Sequence, residues 1–301
     1  MSVSSLAGSP EVVASHPFPV KIIRFSKSGR LMATGDTELQ IKVWRDGAEV
    51  AHIDPKSGDE KVRPTENIRG LEFSADESLL YVAASDTINA YRIEDGHLPW
   101  QYRPPRHFGF LIASPQSLAV SSGGHLAASI DYGALALFSP DGELVYRRSE
   151  NYAPRFLGFS STGESMVGAD GFHLCVWDTR TGNKIHQWQV TERIYAMAVS
   201  PVEPYVATRE LHTLSIYHVD QFERVCSLPA GRGLPGLSFC PRGEIIASGE
   251  KSRVRLINME CQGVRDFHAP SKTILSLGFS SDGSRVVAGC SDGEVLAWDR
   301  D

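Results

Sequence analysis

The chain is 301 residues long, 42% hydrophobic and 22% charged, with a formal net charge of −6. This is an ordinary globular composition, and its acidic balance gives no broad basic face for nucleic acid or an anionic membrane, although it leaves room for a local basic patch. No apolar run approaches the roughly 20 residues that cross a bilayer. Five widely spaced cysteines without a C-x-x-C pair indicate neither a zinc site nor a disulfide framework, so free buried thiols in a reducing compartment are expected.

The opening MSVSSLAGSPEVV has neither a basic n-region nor a long apolar core. No signal peptide is expected, and the protein is placed in the cytoplasm, or in the nucleus if eukaryotic. From about residue 17 the chain repeats itself. Apolar–x–apolar strands end on Phe25, Phe73, Val120, Phe159, Val199, Phe239 and Phe279. Each is followed 18 or 19 residues later by another, ending on Trp44, Tyr91, Phe138, Trp177, Tyr217, Ile257 and Trp298. Two positions before the first anchors stand Ile23, Leu71, Leu118, Leu157, Met197, Leu237 and Leu277, with small or polar residues between. A period of two marks strands with one face in a core.

Each first anchor leads into a turn (SKSG, SADE, SSGG, SSTG, SPVE, CPRG, SSDG), a second strand, a short turn and a third strand. Tight DG or TG turns, for example at 46–47 and 181–182, then lead to a fourth strand. Each repeat is therefore expected to be a four-stranded antiparallel meander. The last four repeats are spaced 40 residues apart, a propeller-blade period. A meander that is apolar on both faces must stack on neighbours, and a ring leaves no unpaired end. The expected fold is all-β, a seven-bladed β-propeller forming one domain over 1–301. The seventh repeat reaches Asp301 straight after its third strand. The segment 11–15 is expected to pair with 294–298 and complete the blade formed by 273–301, leaving no long edge exposed.

The stretch HPFPVKIIRFSKSGRLMATGDTELQIKVW, from His16 to Trp44, and the pairs Trp177-Asp178 and Trp298-Asp299 resemble the WD-repeat family. The resemblance covers nearly the whole chain, with degenerate repeats. It implies a hydrogen-bonded His–Asp–Ser–Trp network in ideal blades. Here the histidine is in register only as His16, and the turn aspartate is matched by Asp292, then by Asp86, Asp131 and Asp170. The network is thus expected to be incomplete in every repeat, with packing holding the blades.

Loops between blades and the turns joining second to third strands share one rim. The first two repeat spacings, 48 and 47, place longer loops there. One is PKSGDEKVRPTEN at 55–67, charged and of mixed sign. The other spans 99–116 and carries Trp100, Tyr102, Arg103, Arg106, His107, Phe108 and Phe110. Aromatics and arginine are enriched at binding hot spots, so these are candidate partner-binding residues. The competing reading puts Trp100 in the fourth strand of blade two and pins Phe108 and Phe110 to the core. Short rim turns add Tyr132, Phe172, His173, Arg209 and Arg253, beside Glu38, Glu210, His212 and Lys251.

Other chemistry is weak. GRGLPG at 231–236 lies between strands, holds Pro235 and opens no helix, so it reads as a blade connection. His212 and His218 have no matching acid cluster. No G-x-S-x-G or Walker sequence occurs, and Ser200 with its equivalents recurs in six blades as a structural residue. The expectation is a non-catalytic protein–protein interaction scaffold or adaptor. It would be a monomeric propeller within a hetero-complex, without cofactor, metal or membrane. The alternatives are a lactonase-like or quinoprotein-like enzyme and a reader of basic tails or RNA. Function drawn from fold is analogy, and the partner is not named by these residues.

Overall fold

The computed structural model describes residues 9–55, 68–105, 113–149, 154–231 and 236–300. Among them, 28 strands form seven four-stranded antiparallel sheets, and no helix occurs. The sheets are the blades of a seven-bladed ring. Their innermost strands are Val20–Phe25, Ile68–Phe73, Pro115–Val120, Phe156–Phe159, Ala196–Val199, Leu237–Phe239 and Ile274–Phe279. Each lies beside the next, and the last lies beside the first.

The apolar interior is divided among the seven spaces between blades. Every hydrophobic cluster joins two neighbouring blades and no others. This explains the sequence pattern. Middle strands such as Leu126–Ile130 and Ala134–Phe138 are buried on both faces, whereas the outer strand Lys184–Gln189 alternates half-buried and exposed residues. Trp177, Phe138 and Trp298 are sealed in these spaces. Truncating one of them to alanine costs about 3–5 kcal/mol.

The serines after the first anchors cap the turns that follow. Ser74 Oγ accepts Leu79 N–H at 2.9 Å, and Ser121, Ser160 and Ser280 accept the equivalent N–H groups at 3.0, 3.1 and 2.9 Å. Their recurrence is structural, as their repetition indicates.

The ring closes through the N-terminus. Glu11–Ser15 pairs antiparallel with Glu294–Asp299, Val12 facing Leu296 and Ser15 facing Glu294. Glu11 also forms an ion pair with Arg285. His16 N–H then donates to Gly293 O at 2.8 Å. Gly293 has a φ of +93°, and a Cβ there would lie 2.2 Å from His16 O, so no other residue fits this joint.

Two expectations are corrected. First, the His–Asp–Ser/Thr–Trp network is complete in blade one. His16 Nδ1 lies 3.2 Å from Asp36 Oδ2 and Nε2 lies 2.8 Å from Thr34 Oγ1, while Trp44 Nε1 donates to Thr34 Oγ1 at 2.8 Å. The aspartate is Asp36, outside the expected set of Asp292, Asp86, Asp131 and Asp170. Its other oxygen accepts the Glu38 and Gln40 N–H groups at 2.9 Å each and so holds the turn as well. Second, Cys226 and Cys261 form a disulfide with Cα atoms 6.1 Å apart, joining the outer strand of blade five to the last turn of blade six. Cys175, Cys240 and Cys290 lie outside the bridge, and all three are buried.

Candidate functional site

The innermost strands begin on the rim that carries the between-blade loops. In blades one, two, three and seven the register slips near that beginning, leaving Lys21, Arg69, Gln116 and Leu275 unpaired with the second strand. Such β-bulges re-aim a side chain. In blades four and five, Arg155 and Tyr195 hold the same position, four residues before the first anchor. The described ring at this mouth of the central channel is therefore Lys21, Arg69, Gln116, Arg155, Tyr195 and Leu275, with three cations and no carboxylate. Lys21, Arg69, Arg155 and Tyr195 are exposed, and Arg69 donates to Gln116 Oε1 at 2.9 Å.

An apolar arc adjoins this ring and shares Tyr195 with it. Tyr132 and Phe172, in second-to-third-strand turns, are 47% and 48% exposed, and Leu211 and Tyr195 are also exposed. The arc is built on an ordered backbone. Ile194 N–H donates to Gly171 O at 2.6 Å, Val190 N–H to Phe172 O at 2.9 Å, and Tyr195 N–H to Arg209 O at 2.7 Å. His212 N–H donates to Glu192 Oε2 at 2.9 Å. The Arg193 guanidinium lies 5.7 Å from the Tyr195 ring centre, a cation–π contact that supports the tyrosine.

The other sequence candidates have different settings. Trp100 packs edge-on to Phe138 at 5.3 Å, stacks on Tyr102, and donates from Nε1 to Gly142 O at 3.0 Å. Tyr102 meets Phe138 at 4.8 Å. Both fill the space between blades two and three, in line with the competing reading that put Trp100 in the fourth strand. Arg103 Nε pairs with Asp86 at 3.2 Å on the rim. His173 Nδ1 lies 3.0 Å from Asp170 Oδ1. Arg253 bridges Glu250 and Asp266. Arg209 is 1% exposed and presents no surface to a partner. Its guanidinium donates to Glu210 O at 2.7 Å and to Gly231 O, bracing blade five against blade six. Arg106, His107, Phe108 and Phe110, the loop 56–67 and residues 232–235 lie outside the described residues.

At the opposite mouth a cavity of about 470 Å³ is lined by Arg24, Glu72 and the turn serines. Arg24 Nε donates to Glu72 Oε1 at 2.8 Å. Burial raises the Glu72 carboxyl above its ordinary value, against the pull of Arg24. The serines there are held by the turns they cap, and Ser74 Oγ also donates to Asp76 Oδ1 at 2.6 Å within its own turn. Among the described residues no group of three or more His, Cys, Asp or Glu is placed to hold a metal ion.

The sequence reading missed Lys21, Tyr195 and Leu211 as rim residues. Their signal was positional: a charged or aromatic residue four places before an anchor, or a large apolar residue within a turn.

The family model described as WD domain, G-beta repeat matches residues 259–299. This stretch holds the outer strand of blade six and all three inner strands of blade seven. No curated protein matches the chain. The match and the seven-bladed ring together support a WD-repeat propeller, a fold that typically serves as a protein-interaction scaffold and is generally non-catalytic.

Proposed function

For a WD-repeat propeller with this rim, we propose a role as a non-catalytic scaffold or adaptor that binds partner peptides or domains within a larger complex. The observation that carries the reading is the exposed arc Tyr132, Phe172, Tyr195 and Leu211 beside the exposed cations Lys21, Arg69 and Arg155. Large aromatics on short turns add nothing to a blade core when they face solvent, and exposed apolar residues of this kind mark contact surfaces. The cations at the channel mouth favour a partner segment with acidic residues. In this reading residues 1–301 are one propeller domain, monomeric within a cytoplasmic hetero-complex.

The test is affinity purification from native extract with the wild type and a Phe172→Ala, Tyr195→Ala, Arg155→Glu variant of matched melting temperature. Partners lost only from the variant support the rim. Identical partner lists overturn it. A change confined to Arg103→Glu would move the surface to the blade two–three side.

A further inference from the structure

The residue whose N–H meets the preceding blade's turn is His16 in blade one, Val190 in blade five, Ala230 in blade six and Ala269 in blade seven. The four hydrogen bonds are 2.8, 2.9, 2.8 and 2.8 Å long. They fix a structural equivalence independent of sequence likeness. In blade one the His16 imidazole is fully buried between Asp36 and Thr34.

Blade five keeps the rest of that framework in the same register. Thr208 faces Met197 as Thr34 faces Ile23, and Tyr217 faces Val206 as Trp44 faces Met32. Glu210 stands two residues after Thr208, where Asp36 follows Thr34. Val190 takes the place of His16, and beside it opens a groove of about 370 Å³ lined by Trp188, Val190, Glu192, Glu210, Ser215 and Tyr217 among others. Glu210 is 5% exposed. Its oxygens accept Thr208 Oγ1 at 2.5 Å, Ser215 Oγ at 3.3 Å and its own backbone N–H, so among the described residues the buried carboxyl meets no ring nitrogen of the kind that faces Asp36. Trp188 stands where blade one has the small Ala14 and lies 5.4 Å from the Tyr217 ring at an interplanar angle of 53°, forming an angled aromatic wall. Arg224 lines the groove from the exposed outer strand, so the carboxylates Glu192 and Glu210 outnumber the cation there. The neighbouring His186 is stacked on Phe222 at 4.4 Å.

We propose that the groove between blades four and five is a binding site for an imidazole side chain presented by a protein partner, held between Glu210 and the Trp188–Tyr217 wall; unlike His16, which bridges Asp36 and Thr34, this imidazole meets the carboxylate alone, because Glu210 already accepts from Thr208 Oγ1. The chain itself shows the chemistry: in blade one the equivalent carboxylate, Asp36, faces an imidazole ring nitrogen that the sequence supplies. The inference stands apart from the rim arc and does not depend on it.

The test is titration of N-acetylhistidine methylamide into the full chain, following the Trp188 indole 15N–1H signal, assigned by its loss in Trp188→Phe. The expected result is a saturable shift, weakened about tenfold in Glu210→Gln as a charge-assisted acceptor is lost. The shift should vanish in Val190→His, whose own imidazole takes the place. N-acetylphenylalanine methylamide, with no ring N–H, should leave the signal unmoved. His16→Gly is the positive control, and free imidazole should raise its melting temperature. A shift that never saturates, equal affinity in Glu210→Gln, or an equal response to the phenylalanine compound overturns the proposal. If Val190→His does not fold, Glu210→Gln and the phenylalanine compound still decide.

Discussion

Thr34→Val tests whether the blade-one network holds the ring as its geometry indicates. Thr34 is fully buried, and its hydroxyl is shared by His16 Nε2 and Trp44 Nε1, each at 2.8 Å. Valine keeps the shape and removes the oxygen, leaving two polar groups without a partner. Each such group costs about 1–3 kcal/mol when buried. Trp44 is half-buried and recovers part of its loss from water, so the sum is about 2–4 kcal/mol. For a chain of this size that lowers the melting temperature by roughly 3–6 °C. The assay is calorimetry with urea melts on Thr34→Val, Trp44→Phe and the double variant. If the hydroxyl bonds Trp44, Thr34→Val costs at least about 1 kcal/mol less once the indole N–H is gone. Additivity within about 0.5 kcal/mol, or a Thr34→Val melt equal to wild type, refutes the reasoning. The converse is available in blade seven. Trp298 Nε1 is buried with no hydrogen-bond partner among the described residues, because Ala288 stands where blade one has Thr34. Ala288→Ser supplies an acceptor and should raise the melting temperature by a few degrees.

Deleting residues through Ser15 exposes the edge of Glu294–Asp299. It should lower the melting temperature sharply and promote aggregation, and an unchanged melt would remove the closing strand from the stability of the ring. Cys226→Ser or reduction opens the bridge between blades five and six. A loss of about 2–4 kcal/mol is expected in urea melts, and thiol trapping in intact cells would show whether the bridge forms there. Burial holds the Glu210 carboxyl above its ordinary 4.5. The folded state therefore binds that proton more tightly than the unfolded one, and stability falls as pH rises from 4.5 through the raised value. Glu210→Gln should gain more in melting temperature over wild type at about pH 8 than at about pH 5, and an equal gain at both would refute the shift.

The fold was legible because it rests on local periodicity. Seven apolar–x–apolar strands, their capping serines and the anchors 18 or 19 residues on are features of a single strand and its turn, and they fix register without knowledge of neighbours. Even the closure could be read, since one strand was short at one end and spare at the other. What escaped depends on pairs brought together across blades. Cys226 and Cys261 are 35 residues apart in adjacent blades, and nothing in that spacing distinguishes a bridge from two buried thiols. Arg209 has the letters of a rim residue, but its guanidinium turns inward to the Gly231 carbonyl of the next connection.

Asp36 is the instructive miss. A strand places residues two apart on one face, so an aspartate two after a buried Thr34 was bound to share its face with His16 once the two strands paired. The same rule, applied repeat by repeat, separates the blades. Blade five retains Thr208, Glu210 and Tyr217 without a histidine. Blade six has Glu250 beside Arg253, with Ser248 Oγ lacking a partner among the described residues. Blade seven has Trp298 without an acceptor. Degeneracy in this chain is therefore a set of specific deletions from one framework. Each deletion leaves either an orphaned polar atom, which costs stability, or an opened space, which gives a partner somewhere to enter.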